Sequence, residues 1–180
     1  MKKSLLALSA GLTFAIAGTS AFANSGTINF QGKITAATCP IEISPPGGGV
    51  GSAVPMGEVA AATFTGIGQE YNQTRFELVV KDGAACGFAN NTATVTFTGD
   101  ADASGDYFAV TPTTDGARGV AIALRDTQGN ILNPGADSND FDLNDTGETR
   151  LRFSATYRST AATVTAGAAN ADVGFTVAIQ

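Results

Sequence analysis

The sequence predicts an all-β protein whose strands pack as a sandwich, and three observations predict it. Apolar and polar residues alternate at period two in several short runs. Clusters of Gly, Pro, Asn and Asp punctuate those runs where turns are needed. Beyond the first 23 residues, no stretch holds a helical period for long. Several short strands with regular punctuation are the signature of a two-sheet sandwich.

The elements follow in chain order. Residues 1–23 read as an export signal. Lys2 and Lys3 give a positive start, Leu5 to Ile16 is mostly apolar but short for a membrane span, and Ala21-Phe22-Ala23 fits a small-x-small cleavage pattern. Residues 24–38 read as an N-terminal arm with strand alternation at Ile28, Phe30, Gly32 and Ile34. Residues 39–180 read as one domain, long enough to bury a core. Within it, Ser44 to Pro55, with Pro45, Pro46 and Gly47 to Gly49, reads as a surface loop, an interdomain linker being the other reading. Phe76, Leu78 and Val80 face one way, with Glu77 and Lys81 opposite. Val95 and Phe97 repeat the pattern between threonines, and Val120, Ile122 and Leu124 give another strand. The clearest run sets Leu151, Phe153, Ala155 and Tyr157 against Arg150, Arg152, Thr156 and Arg158, a core face against a wet one. Val173, Phe175, Val177 and Ile179 form the last strand.

Charge and composition exclude several functions. Formal net charge is −6, and loss of the signal with its two lysines would make it −8. That balance argues against nucleic acid or anionic lipid as a partner. The chain has no histidine, so neither a Ser-His-Asp nor a Cys-His catalytic site can be built, and a Cys/His zinc site lacks ligands. The carboxylates sit in Gly- and Asn-rich loops, a context that solvates them rather than tuning them for acid–base work. No enzymatic activity, cofactor or metal is expected. Two cysteines in an exported chain read as one disulfide, Cys39–Cys86, two buried thiols being the other reading.

Two motifs carry weak signals. Asp100-Ala-Asp102-Ala-Ser104-Gly105 copies the opening of a calcium loop, but its twelfth position is Thr111 rather than a bidentate Glu, so it reads as a solvated acidic loop. Asn139 to Asp145 reads as a similar loop, with Phe141 and Leu143 packing inward. Three glycosylation sequons begin at Asn72, Asn90 and Asn144, a pattern that recurs by chance in an Asn/Thr-rich chain.

The two ends of the chain carry the sharper signal. The arm is either the first strand of a closed sandwich or an extended segment that inserts beside another subunit's edge. In the second reading ladder bonds supply affinity, and Ile28, Phe30 and Ile34 fill pockets at period two. Gly32 would let the arm approach the partner's core closely. The last strand stops one residue after Ile179, which leaves an apolar edge that an exported protein has to cover.

The run from Gly26 to Cys39 resembles the start of a mature pilin of the type 1 fimbrial, chaperone–usher family, with its alternating arm, a glycine and then a cysteine. Cys86, 47 residues on, matches the family's disulfide spacing, and Ala166 to Gln180 resembles its last strand, with Gly167 at the family's glycine. Ile179 stands where the family usually has tyrosine.

The resemblance implies an incomplete immunoglobulin-like sandwich, completed by a donor strand from a neighbouring subunit. It implies a structural subunit of an adhesive surface filament, exported through the periplasm of a Gram-negative cell. The implied partners are other pilin subunits in a homopolymer, a periplasmic chaperone and an outer-membrane usher. Ile28, Phe30, Gly32 and Ile34 would be the donor strand. Gly167, Val173, Phe175, Val177 and Ile179 would form the acceptor groove and chaperone-binding strand. Minor or adapter pilin is the alternative within the family, and a monomeric exported β-sandwich the alternative outside it.

Overall fold

The computed structural model describes residues 39–49, 51–81, 86 and 90–180. The export signal and the arm, with Ile28, Phe30, Gly32 and Ile34, lie outside the described residues. Strands are β1 (Ile41–Ser44), β2 (Glu70–Val80), β3 (Thr92–Thr98), β4 (Phe108–Ala109), β5 (Val120–Arg125), β6 (Phe141–Asp142), β7 (Thr149–Ser159) and β8 (Gly174–Ile179). They form a five-stranded sheet, in the order β1-β2-β7-β5-β4, and a three-stranded sheet, in the order β6-β3-β8. Every pairing between these strands is antiparallel.

The period-two pattern fixes which side chains meet between the sheets. Register places Phe76 opposite Phe153 and Leu78 opposite Leu151 on β2 and β7, all four buried. From the other sheet β3 contributes Ala93, Val95 and Phe97. Phe97 meets Phe153 edge-on, with ring centroids 5.0 Å apart, and meets Phe76 at 6.1 Å. Phe141 closes on Phe153 at 5.4 Å, and Leu143 is buried beside this cluster, so the acidic 139–145 loop does turn its apolar residues inward. Edge-to-face rings of this kind add about 0.5–1.5 kcal/mol each beyond the area they bury.

The outer face of β7 is not uniformly wet. Ser154 and Thr156 are buried although they point away from the core. β7 lies centrally between β2 and β5, and longer side chains from β2 fold over it. Gln73 donates to Ser154 Oγ at 3.3 Å, and Thr156 Oγ1 donates to Glu70 at 3.2 Å.

Glu70 is also the hub of an ion-pair group, accepting from Arg125 on β5 and Arg158 on β7, both at 2.6 Å. Burial alone would raise its pKa, but the two guanidinium groups outweigh burial and hold the carboxyl below the ordinary glutamate range. A depressed folded-state pKa stabilises the protein above the unfolded value and loses that effect as pH falls through the folded value. Glu70→Gln should therefore cost about 1 kcal/mol at pH 7. The difference from wild type should close as pH falls below about 4.5, read from urea unfolding at pH 7 and pH 3.

Candidate functional site

The outstanding irregularity of this core is an asymmetry between two neighbouring strands. Inward-facing Ala93, Val95 and Phe97 on β3 are 0%, 0% and 3% exposed. Their register partners on β8, Ile179, Val177 and Phe175, face the same interior yet are only half-buried. β8 pairs with β3 on one side and with no other strand among the described residues.

Backbone polarity follows from the same ladder. Gln180 N–H donates to Thr92 O at 2.9 Å, so Gln180 directs its polar groups toward β3. Alternation in an antiparallel pair then gives Gly174, Thr176 and Ala178 to β3. It turns the N–H and C=O groups of Phe175, Val177 and Ile179 toward the free edge.

The facing wall is built from β1 and the segment after it. Lys81 N–H donates to Pro40 O at 3.2 Å, which by the same alternation leaves the backbone groups of Ile41 and Ile43 pointing away from β2. One of them is used: Gly51 N–H donates to Ile43 O at 3.2 Å, folding the chain back after the Pro45–Gly49 turn. Ile41, Ile43, Val54 and Met56 are half-buried apolar residues against the core. Between the two walls lies an open groove of about 780 Å³, with Phe76, Leu78, Phe97, Ile122 and Leu124 among its lining.

Val173 and Phe175 line this groove, and Val177 and Ile179 continue the same face of β8 beyond it. Gly167 does not join them. It lies on a second cavity, of about 460 Å³, that shares Gly57, Tyr157, Ala169 and Asn170 with the first. Its glycine requirement is steric, because a Cβ there would collide with the backbone of Asp115, Gly116 and Ala117. Ala117 N–H donates to Ala168 O at 2.9 Å across this contact. Tyr157 lies between the cavities, and burial pushes its phenol pKa up, which keeps it neutral.

The Cys39–Cys86 disulfide is formed, with Cα atoms 5.0 Å apart, and it anchors the chain just ahead of β1. The calcium-like loop closes on itself. Asp102 Oδ1 accepts from Ser104 Oγ at 2.7 Å and from Tyr107 N–H at 3.1 Å. Among the described residues no group of three His, Cys, Asp or Glu is placed to hold a metal ion. What the site offers is therefore shape, apolar surface and backbone groups that no strand among the described residues pairs, the requirements for binding an extended strand.

Comparison with known proteins agrees with this architecture. The Fimbrial protein family matches residues 28–180. The chain is 31% identical to a probable major fimbrial subunit of Escherichia coli O157:H7, over 97% of this chain and 92% of that one. It is 34% identical to a type 1 fimbrial subunit of Salmonella typhimurium, over 83% and 80%. The crystal structure of an antigen and type I fimbria protein of Burkholderia pseudomallei superposes with a TM-score of 0.57 at 36% identity, over 85% of this chain and 97% of that one. The half-covered sandwich and these relatives together place the chain in the fimbrial protein family, as a structural pilin subunit with an incomplete immunoglobulin-like fold.

Proposed function

We propose that this subunit polymerises by donor-strand exchange, the 24–38 arm of one copy filling the groove of another. The supporting observation is β8: its inward side chains are half-buried, and among the described residues no strand pairs with its outer backbone groups. Ile28 to Ile34 and Val173 to Ile179 each span six residue steps, about 20 Å at 3.3 Å per residue. An inserted strand would bond the free backbone groups of Phe175, Val177 and Ile179 while Ile28, Phe30 and Ile34 buried apolar surface. Gly32 would pass where the core stands closest.

In this reading residues 1–23 direct export and are removed, residues 24–38 are the donor strand and residues 39–180 the pilin domain. A periplasmic chaperone covers the groove until an outer-membrane usher exchanges it for the next subunit's arm. The product is an extracellular adhesive filament. Each copy lends one strand and accepts one, a head-to-tail contact that leaves an open polymer and not a ring. The role is structural, with no catalysis, cofactor or nucleic acid.

A synthetic peptide of residues 24–38 should stabilise a subunit lacking its arm. At about 100 times its Kd the peptide adds about 2.7 kcal/mol. That is a rise in Tm of roughly 5–10 °C for a domain of this size. An unchanged Tm at saturating peptide sinks the exchange mechanism.

Phe30→Asp should abolish filaments in negative-stain micrographs while the subunit is still recovered with its chaperone, because a charge is placed in the arm and the groove is untouched. Filaments at wild-type yield would remove the arm from the mechanism.

A further inference from the structure

The wall that faces β8 is held in an unusual way. From Ser52 to Val59 the chain belongs to no strand. Among the described residues, the hydrogen bonds this stretch makes are two, both accepted from one side chain. Asn72 Nδ2 donates to Glu58 O at 2.8 Å and to Met56 O at 3.3 Å.

Two backbone features converge on that contact. Asn72 has φ 56° and stands in a β-bulge of β2, where pairing with β7 shifts between Tyr71 and Thr74. A bulge re-aims side chains, and asparagine is among the few non-glycine residues that tolerate this conformation. Gly57, between the two accepting carbonyls, has φ 68°, and a Cβ on it would touch Asn72 Nδ2 at 3.4 Å. The left-handed glycine thus turns both flanking carbonyls toward one amide.

We propose that Asn72 is the positioning residue of the strand-binding groove. Its amide fixes the Val54–Met56 wall at the separation from Val173 and Phe175 that an incoming strand needs. Without it, the wall is free to relax into the groove or away from it, and a strand must then reorder eight residues in order to bind. Preorganisation of this kind adds affinity without adding contacts. The proposal rests on the reading that the groove takes a strand.

The test uses the chain without its export signal and with Phe30→Asp in its own arm, so that no arm occupies the groove, together with a fluorescent wild-type 24–38 peptide and two further variants. Asn72→Gly keeps the left-handed backbone and removes the amide. Asn72→Asp keeps the shape and sets acceptors against both carbonyls. Each should weaken peptide binding by about tenfold, as loss of two modest hydrogen bonds implies. Amide hydrogen exchange across residues 52–59 should rise, while the peptide-free Tm stays within about 3 °C of wild type. Wild-type affinity in both variants overturns the proposal. So does a peptide-free Tm that falls much further, which would make Asn72 a support of the whole fold. If the arm-disabled chain with Asn72 intact fails to bind the peptide, the donor-strand reading is what has failed, and the role of Asn72 in it goes too.

Discussion

A sandwich is stable only where each sheet covers the other. Among the described residues a five-stranded sheet faces a three-stranded one, and that shortfall organises the rest of the described structure. The covered part is ordinary: Phe76, Phe97 and Phe153 interlock, and β2, β7 and β5 share long ladders above them. The uncovered part runs beneath β1, where apolar residues remain half-buried on both sides of a groove. Among the described residues β8 pairs with β3 alone and β1 with β2 alone, so no described strand supplies the missing layer.

The edge of the groove therefore needs reinforcement that a closed sandwich would not. β1 has four residues and one strand neighbour, and the disulfide between Cys39 and Cys86 secures the chain immediately before it. A cross-link closing a loop of this length contributes about 4 kcal/mol in the chain-entropy account. At the other end of the same wall the Asn72 amide takes over. Covalent and polar fastenings thus appear where packing is thinnest, while the centre relies on aromatic contact.

Much of this was legible in the sequence, and the failures have physical causes. β2, β3, β5, β7 and β8 show alternation over six residues or more, enough for the period to stand out. β1 has four residues between two prolines, and β4 and β6 have two each, too few for any period. Val173 and Phe175 were legible as inward-facing strand residues because they continue an alternating run, while a groove role for them was implied by the family resemblance alone. Gly167 was legible as a required glycine but not as to place, since what requires it is the backbone of residues 115–117, fifty positions away. Asn72 read as a chance sequon, because its value comes from a bulge and a left-handed turn that meet only in the folded chain. The outer face of β7 read as wet because alternation cannot reveal that Gln73 and Glu70 lie across it.

The half-buried face of β8 has a mechanical consequence for a subunit that joins its neighbour through it. The surface that finishes one molecule's core is then the same surface that holds two molecules together. Separating them means opening a hydrophobic interior, with every ladder bond along the strand given up before solvent can replace it. The lifetime of such a joint is set by an unfolding barrier and not by an ordinary off-rate between rigid bodies. A chain of these subunits would bear load as a series of folded cores, each link persisting for as long as a protein domain resists being pulled apart.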